Sequence, residues 1–371
     1  MKSRSFFARY LRFFTVSLAV ILLAEMGVLA YVDRNMLQES STGIQVRPVA
    51  PSSTSMPTNL QIKLDSSAQN LQVSYRGTFV AYQSGDVLEI LNTTNGKAEK
   101  VSMAQGMELS YYKWLYDRNR LILAEKAQGG YYAKLYSLDM DDATVSNGTL
   151  VPDEILNNSS GTKPREARIA LASQSSDVTS IDFSTSTVIT YVKVSGVSSS
   201  AVWKFNFPSD PQRYDLYTNK IGNIQCLKNM DTLLYEDKGD GYVFAAGLGH
   251  LTVDGNTKLQ LLGFDSSDNV YLANGNGDTT DTIYYGSLLG EDGSSVTLKP
   301  KLKTAVLSSP AKLSRMFVTL SGGVYLDDPD NHFVQNMISG QETTYSGSII
   351  ATYAYGFITQ KDGYINQKSL S

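Results

Sequence analysis

The residues able to carry out chemistry are few and scattered. The chain holds two histidines, His250 and His332, and one cysteine, Cys226. A zincin needs two histidines one helical turn apart with a glutamate between them. A zinc ribbon needs paired cysteines, and a serine hydrolase of the elbow type needs a serine between glycines. No H-E-x-x-H, C-x-x-C or G-x-S-x-G occurs. A Ser–His–Asp set assembled from distant residues stays open, but no spacing singles one out. Gly247-Leu248-Gly249 has no helix after it to present its N-terminus to a phosphate, so it reads as a turn between strands. Cys226, in the strand-like run IGNIQCL, reads as a small buried hydrophobe, and a single cysteine forms no intramolecular disulfide. No catalytic, cofactor-binding or metal-binding residue is assigned, and no cofactor is expected.

Two further residue patterns could carry function. Acidic turns recur at Asp237 to Gly241, Asp265 to Asn269, Asn274 to Asp281 and Asp327 to Asn331. Calcium favours such oxygen ligands, but none of these completes a twelve-residue loop with its terminal glutamate. Asp, Asn and Gly also dominate ordinary hairpin turns, which is the preferred reading. Aromatic residues at alternate positions, Tyr112/Trp114/Tyr116 and Tyr353/Tyr355, fall on one strand face each. Packing between sheets accounts for most of them, and exposed tyrosines on a rim could stack on sugar rings.

These residues must be placed by two very different parts of the chain. Residues 13–32, FFTVSLAVILLAEMGVLAYV, are apolar over a length that, at ~1.5 Å per residue, spans a ~30 Å bilayer core. Lys2, Arg4, Arg9 and Arg12 precede this stretch, which places residues 1–12 in the cytoplasm and the rest outside. A cleaved signal peptide is the alternative, with Val28 and Ala30 at the −3 and −1 positions. Span length favours the uncleaved anchor. Glu25 lies inside the span. It reads either as a tolerated, partly hydrated carboxyl or as a polar contact to a partner helix, and it is the one candidate site residue.

Residues 33–59 form a Ser/Thr/Pro-rich stalk with little to bury. After Val32 there are 28 basic and 35 acidic residues, net −7, which argues against nucleic acid or a basic membrane-binding patch. From Leu60 to the end, short apolar and aromatic runs alternate with turns such as Arg76-Gly77, Ser84-Gly85 and Asn95-Gly96. Units of three or four strands begin near residues 70, 109, 179, 221, 259, 311 and 347. That period is the period of propeller blades. The expected fold of residues 60–371 is an all-β propeller, seven blades best and six or eight as alternatives. The strand from Leu60 to Leu64 would complete the last blade and close the ring. Polar segment 145–178 reads as a blade insertion or surface loop, with helical character around Arg165 to Ser173.

The first unit, Ser74 to Lys97 (SYRGTFVAYQSGDVLEILNTTNGK), resembles the repeats of TolB-type and dipeptidyl-peptidase-IV-type propellers. The second, Tyr112 to Ala124 (YKWLYDRNRLILA), resembles the tryptophan-bearing pattern of the same repeats. The resemblance implies the propeller fold. In that family such propellers serve as docking platforms or as gates on a hydrolase domain, and no hydrolase domain is expected after the last blade. The expectation is a non-enzymatic, membrane-anchored, extracytoplasmic scaffold that docks an envelope or membrane protein. The alternative is a glycan-binding or glycan-cleaving propeller, whose site would need facing carboxylates and aromatic walls at one end of the central channel.

Overall fold

Strand Phe79–Ser84 shows why this chain stacks sheets. Phe79, Val80, Ala81 and Tyr82 are buried in succession. Phe79 and Ala81 pack with Trp114 and Leu121 of the following sheet. Val80 and Tyr82 pack with Tyr353, Ile358 and Ile365 near the C-terminus. A strand sends alternate side chains to opposite faces, so a sheet covered on both faces is apolar at every position.

The computed structural model describes residues 62–157, 165–206, 209–275, 277–290 and 295–370. Among them, seven blades follow one another as a β-propeller, each a four-stranded antiparallel sheet at its core. Blade 1 is Ala68–Val73, Phe79–Ser84, Val87–Asn92 and Ala98–Val101, from the innermost strand outward. Blade 2 begins with Met107–Trp114, Arg120–Ala127 and Tyr132–Asp139. The innermost strands of blades 3 to 7 are Asp177–Phe183, Ile221–Cys226, Leu259–Phe264, Met316–Val318 and Ser348–Tyr353. These starts match the expected unit period. Innermost strands of consecutive blades pack against one another around the ring, as Ala68–Val73 does against both Met107–Trp114 and Ser348–Tyr353.

The ring closes as the sequence predicts. Ile62–Lys63 pairs antiparallel with Tyr364–Ser369, Ile62 opposite Ile365 and Lys63 opposite Tyr364. The strand that precedes blade 1 is thus the outermost strand of blade 7. Gly77 helps hold this seam. Its φ is +78°, and an added Cβ would collide with the Gln367 side chain, whose amide donates to the Arg76 carbonyl. In six of the seven blades the innermost strand shifts register against its neighbour, as between Gln69 and Gln72 or Leu109 and Tyr111. Bulges of this kind bend and twist the strand nearest the axis, where the sheets are most crowded.

Segment 145–171 is an insertion, but it forms strands rather than a loop. Thr149–Leu150 adds to the outer edge of blade 1, parallel to Ala98–Val101. Asp153–Glu154 and Arg168–Ala170 both pair with Tyr132–Asp139, so two short pieces share the outer position of blade 2. The helix expected around Arg165 to Ser173 does not form. Ala167, Ile169 and Leu171 are buried at a spacing of two, and pairing with an open sheet edge overrides the helical propensity that Arg, Ala and Leu carry.

Beneath this insertion lies a buried acid. Glu125 is fully buried; one carboxyl oxygen accepts the Ala104 N–H at 3.0 Å, and the other has no partner among the described residues. Lys134, opposite Glu125 in the sheet, pairs at 3.2 Å with Glu154 of the insertion. Burial pushes the Glu125 pKa up to about 7; the Ala104 N–H opposes the rise, Glu154 adds to it, and Lys134 opposes it. The folded-state value is raised, so stability is fully present below the ordinary value of 4.5 and is lost as pH rises through 7. That shift corresponds to about 3 kcal/mol. Glu125→Gln is therefore expected to stabilise the domain by up to about 3 kcal/mol above neutral pH and to change little below about pH 4.5. Urea denaturation across that range tests this; a variant no more stable than the parent at alkaline pH contradicts it.

Candidate functional site in the central channel

The innermost strands of blades 1, 2, 4, 5, 6 and 7 contribute residues to the lining of a cavity of about 660 Å³. Its aromatic wall comprises Tyr75, Trp114, Tyr116, Phe264, Phe317 and Tyr353. Its charged lining residues are Lys113, Arg315 and Asp327. Gly263 lies where blades 5 and 6 come closest, since an added Cβ would sit 2.6 Å from the Val318 Cβ.

Tyr116 governs the end of the channel where the innermost strands finish, the lower face. It sits two residues past strand Met107–Trp114, in the turn that begins the return to the next strand. Its ring lies 5.1 Å from Phe183 of blade 3 and 5.2 Å, edge on, from Phe264 of blade 5. Blades 2 and 5 stand on opposite sides of the ring, so this side chain crosses the axis. It packs there in one cluster with Phe264, Leu320 and Ala354 from blades 5, 6 and 7. The alternation of Tyr112, Trp114 and Tyr116 therefore splits. Tyr112 and Trp114 are buried against blade 1, where the Tyr112 hydroxyl donates to the Asn70 carbonyl at 2.5 Å and the Trp114 indole to the Gln72 carbonyl at 3.1 Å.

Below the wall, Asp182 joins three blades. It is fully buried at the end of the innermost strand of blade 3. From blade 2 it receives the Tyr116 hydroxyl at 2.5 Å and the Lys113 ammonium at 3.2 Å. From blade 4 it receives the Cys226 N–H at 2.9 Å. Burial, reinforced by the Asp182 charge, raises the Tyr116 hydroxyl well above the ordinary tyrosine range, so it stays a donor. Burial works against the charge on Lys113, but the Asp182 carboxylate outweighs it and holds the ammonium above its ordinary value. Burial pushes the Cys226 thiol up, and Asp182 adds to the rise. A protonated, fully buried thiol is a packing residue rather than a nucleophile, as the sequence suggests.

The remaining sequence candidates are accounted for as follows. Asp265 accepts the N–H groups of Ser267 at 2.8 Å and Asn269 at 3.0 Å. Asp237 accepts from Gly239 N–H, and Asp328 from Asn331 N–H. Asp268 reaches across to blade 4 and accepts the N–H groups of Lys228 and Asn229. These carboxylates shape turns. His250 lies against Tyr242 in blade 4 and His332 against Tyr345 in blade 6, so the two histidines do not meet. Among the described residues no three His, Cys, Asp or Glu side chains are grouped to hold a metal ion. The cavity lining holds one carboxylate, Asp327, whose oxygen accepts the Tyr345 hydroxyl at 2.5 Å. The facing pair that a glycan-cleaving site requires is not found among the described lining residues. The span 13–32, with Glu25, and the stalk lie outside the described residues. Among the described residues no helix is long and apolar enough to cross a membrane.

No family model and no curated protein matches this chain. Solved structures of similar shape are propellers of the WD40 kind and others. The β-propeller domain of Cps50 (Swd1) from Myceliophteria thermophila aligns at 12% identity and TM-score 0.51, over 84% of this chain and 99% of that one. A chain of the mitotic checkpoint complex aligns at 10% identity and TM-score 0.46, over 84% and 94%. A prolyl endopeptidase aligns at 13% identity and TM-score 0.47; 75% of this chain covers only 42% of that one. At such identities the likeness is one of fold alone.

Asp182 yields a test of the hub. Asp182→Ala would leave the half-buried Lys113 ammonium without its counter-charge and the Cys226 N–H without its acceptor, at a cost of about 3 kcal/mol. Pairing it with Lys113→Met should recover much of that loss, because the uncompensated charge is gone. Urea unfolding of the two single variants and the double variant reads the coupling; additive losses would show that the ion pair carries no weight.

Proposed function

We propose that the chain is a non-enzymatic scaffold, anchored by residues 13–32 with its N-terminus in the cytoplasm, whose extracytoplasmic propeller docks another envelope protein. The observation that carries the docking role is the lower face. Turns of five blades each present an exposed apolar side chain there: Val188, Leu248, Leu289, Ile338 and Tyr355. Val188 stands out because a β-branched residue at φ +58° is strained, yet 61% of it is exposed. Its turn is held from both sides, by Ser184 Oγ accepting the Thr187 N–H and by the Lys228 carbonyl accepting the Ser186 N–H. Strain kept at a solvent-facing apolar position is a mark of a contact surface. The resemblance to TolB-type and dipeptidyl-peptidase-IV-type repeats supports the same reading. In the channel, Lys113 is held by Asp182 and Asp327 by the Tyr345 hydroxyl, which supports a scaffold over a hydrolase.

Cross-linking of the full chain in its own membranes tests this. A stoichiometric partner is expected with the parent protein and with Val197→Asp on the opposite face. It should be lost with Val188→Asp. Turnover of an envelope substrate by the purified domain, with no partner captured, would reverse the reading. Glu25 supplies a second test. If it contacts a partner helix, Glu25→Leu should leave folding intact and weaken the membrane complex by about 1 kcal/mol. Co-purification in mild detergent reads that difference, and an N-terminus found after Ala30 in the mature protein would remove the anchor altogether.

A further inference from the structure

We propose that the central cavity is a binding site for a small aromatic carboxylic acid bearing a hydrogen-bond donor. Its volume, about 660 Å³, falls in the range of small-molecule sites. The floor is closed by Tyr116, Phe264, Leu320 and Ala354, so a ligand enters from the upper face. Aromatic residues contribute to the lining, Tyr75, Tyr116, Phe264 and Phe317 among them, and suit a flat apolar body.

Two polar groups in the lining are left without partners. The Gln225 side-chain oxygen is buried and accepts no hydrogen bond among the described residues. A buried acceptor in this state carries a desolvation penalty that a ligand N–H or O–H would relieve. Arg315 lies just ahead of the innermost strand of blade 6, at the upper, open side. Of the other two charges in the lining, Lys113 is paired with Asp182 from behind the wall, and Asp327 accepts the Tyr345 hydroxyl and keeps its charge; the Arg315 guanidinium acts at longer range on Asp328. Arg315 has no ion pair among the described residues, and a guanidinium accepts a carboxylate by two parallel hydrogen bonds. The lining therefore offers a ligand an unsatisfied acceptor deep in the channel, a guanidinium with no direct ion pair at its mouth, and apolar and aromatic residues between them.

N-acetyl-tryptophan meets all three and serves as the probe, with its amide, N-acetyl-tryptophanamide, lacking the charge. Calorimetric titration of the full chain in mild detergent should show saturable binding of the acid, with the amide weaker by roughly tenfold. On Arg315→Met, acid and amide should bind equally. On Gln225→Leu, the acid should bind more weakly while the unliganded protein melts higher, because the unmet acceptor has been removed. That second readout separates a binding defect from a folding defect. Absence of saturable heat at millimolar acid overturns the proposal. So does an acid-over-amide preference that survives in Arg315→Met, since the anion would then be recognised elsewhere.

Discussion

The pairing of Ile62–Lys63 with Tyr364–Ser369 is the contact on which the rest of the domain depends. Each blade is apolar on both faces, so no blade is satisfied until it has a neighbour on each side. A linear stack would leave two such faces in water. A ring leaves none, provided that the first and last blades meet. The two-residue strand brings Ile62 and Leu64, both almost fully buried, into a cluster shared by Val80 and Tyr82 of blade 1 and Ile358 of blade 7. With the bonds of Leu64 to Gly363 and of Gln367 to Arg76, it ties the start of the described chain to its end, and the cavity exists because that seam closes a circle.

The interior is held differently at different depths. Between blades, large apolar side chains interdigitate. Near the axis, hydrogen bonds link the turns. Leu320 N–H donates to the Ala354 carbonyl, Ser266 N–H to the Leu320 carbonyl, and the N–H groups of Lys228 and Asn229 to Asp268. Asp182 continues the chain of contacts from blade 4 to blade 2. The lower face is therefore a belt of polar contacts around an aromatic plug. The upper face has no comparable plug in the lining, which is why the cavity has a direction.

Much of this was legible in the sequence because propeller period, turn glycines and apolar runs are local signals. The blade starts, the closing strand, the buried Cys226 and the use of acidic turns as turns follow from residues a few positions apart. The helix expected near Arg165 failed because its propensity was local while the sheet edge it meets, Tyr132–Asp139, lies over thirty residues away. Asp182 and Tyr116 were illegible for the same reason. Their bond spans 66 residues, and no spacing rule marks two side chains that meet only when three blades are assembled. Tyr116 looked like the third member of a strand face, and only the end of that strand at Trp114 frees it to cross the axis. Gln225 and Arg315 lacked any signal, since an unmatched group is defined by what fails to surround it.

The seam also has a mechanical meaning. All chain before Ile62 enters the ring through the outermost strand of blade 7, and the described chain ends in that same blade at Leu370, whose N–H is held by the Tyr355 carbonyl. Any tension carried along the preceding chain is thus delivered to two residues hydrogen-bonded along Tyr364 and Ile365, and to nothing else first. Pulled parallel to the strand, those bonds share the load; pulled outward, they yield one after another like a zip. The direction from which a tether pulls would decide whether the domain bears force as a closed wheel or opens at its weakest spoke.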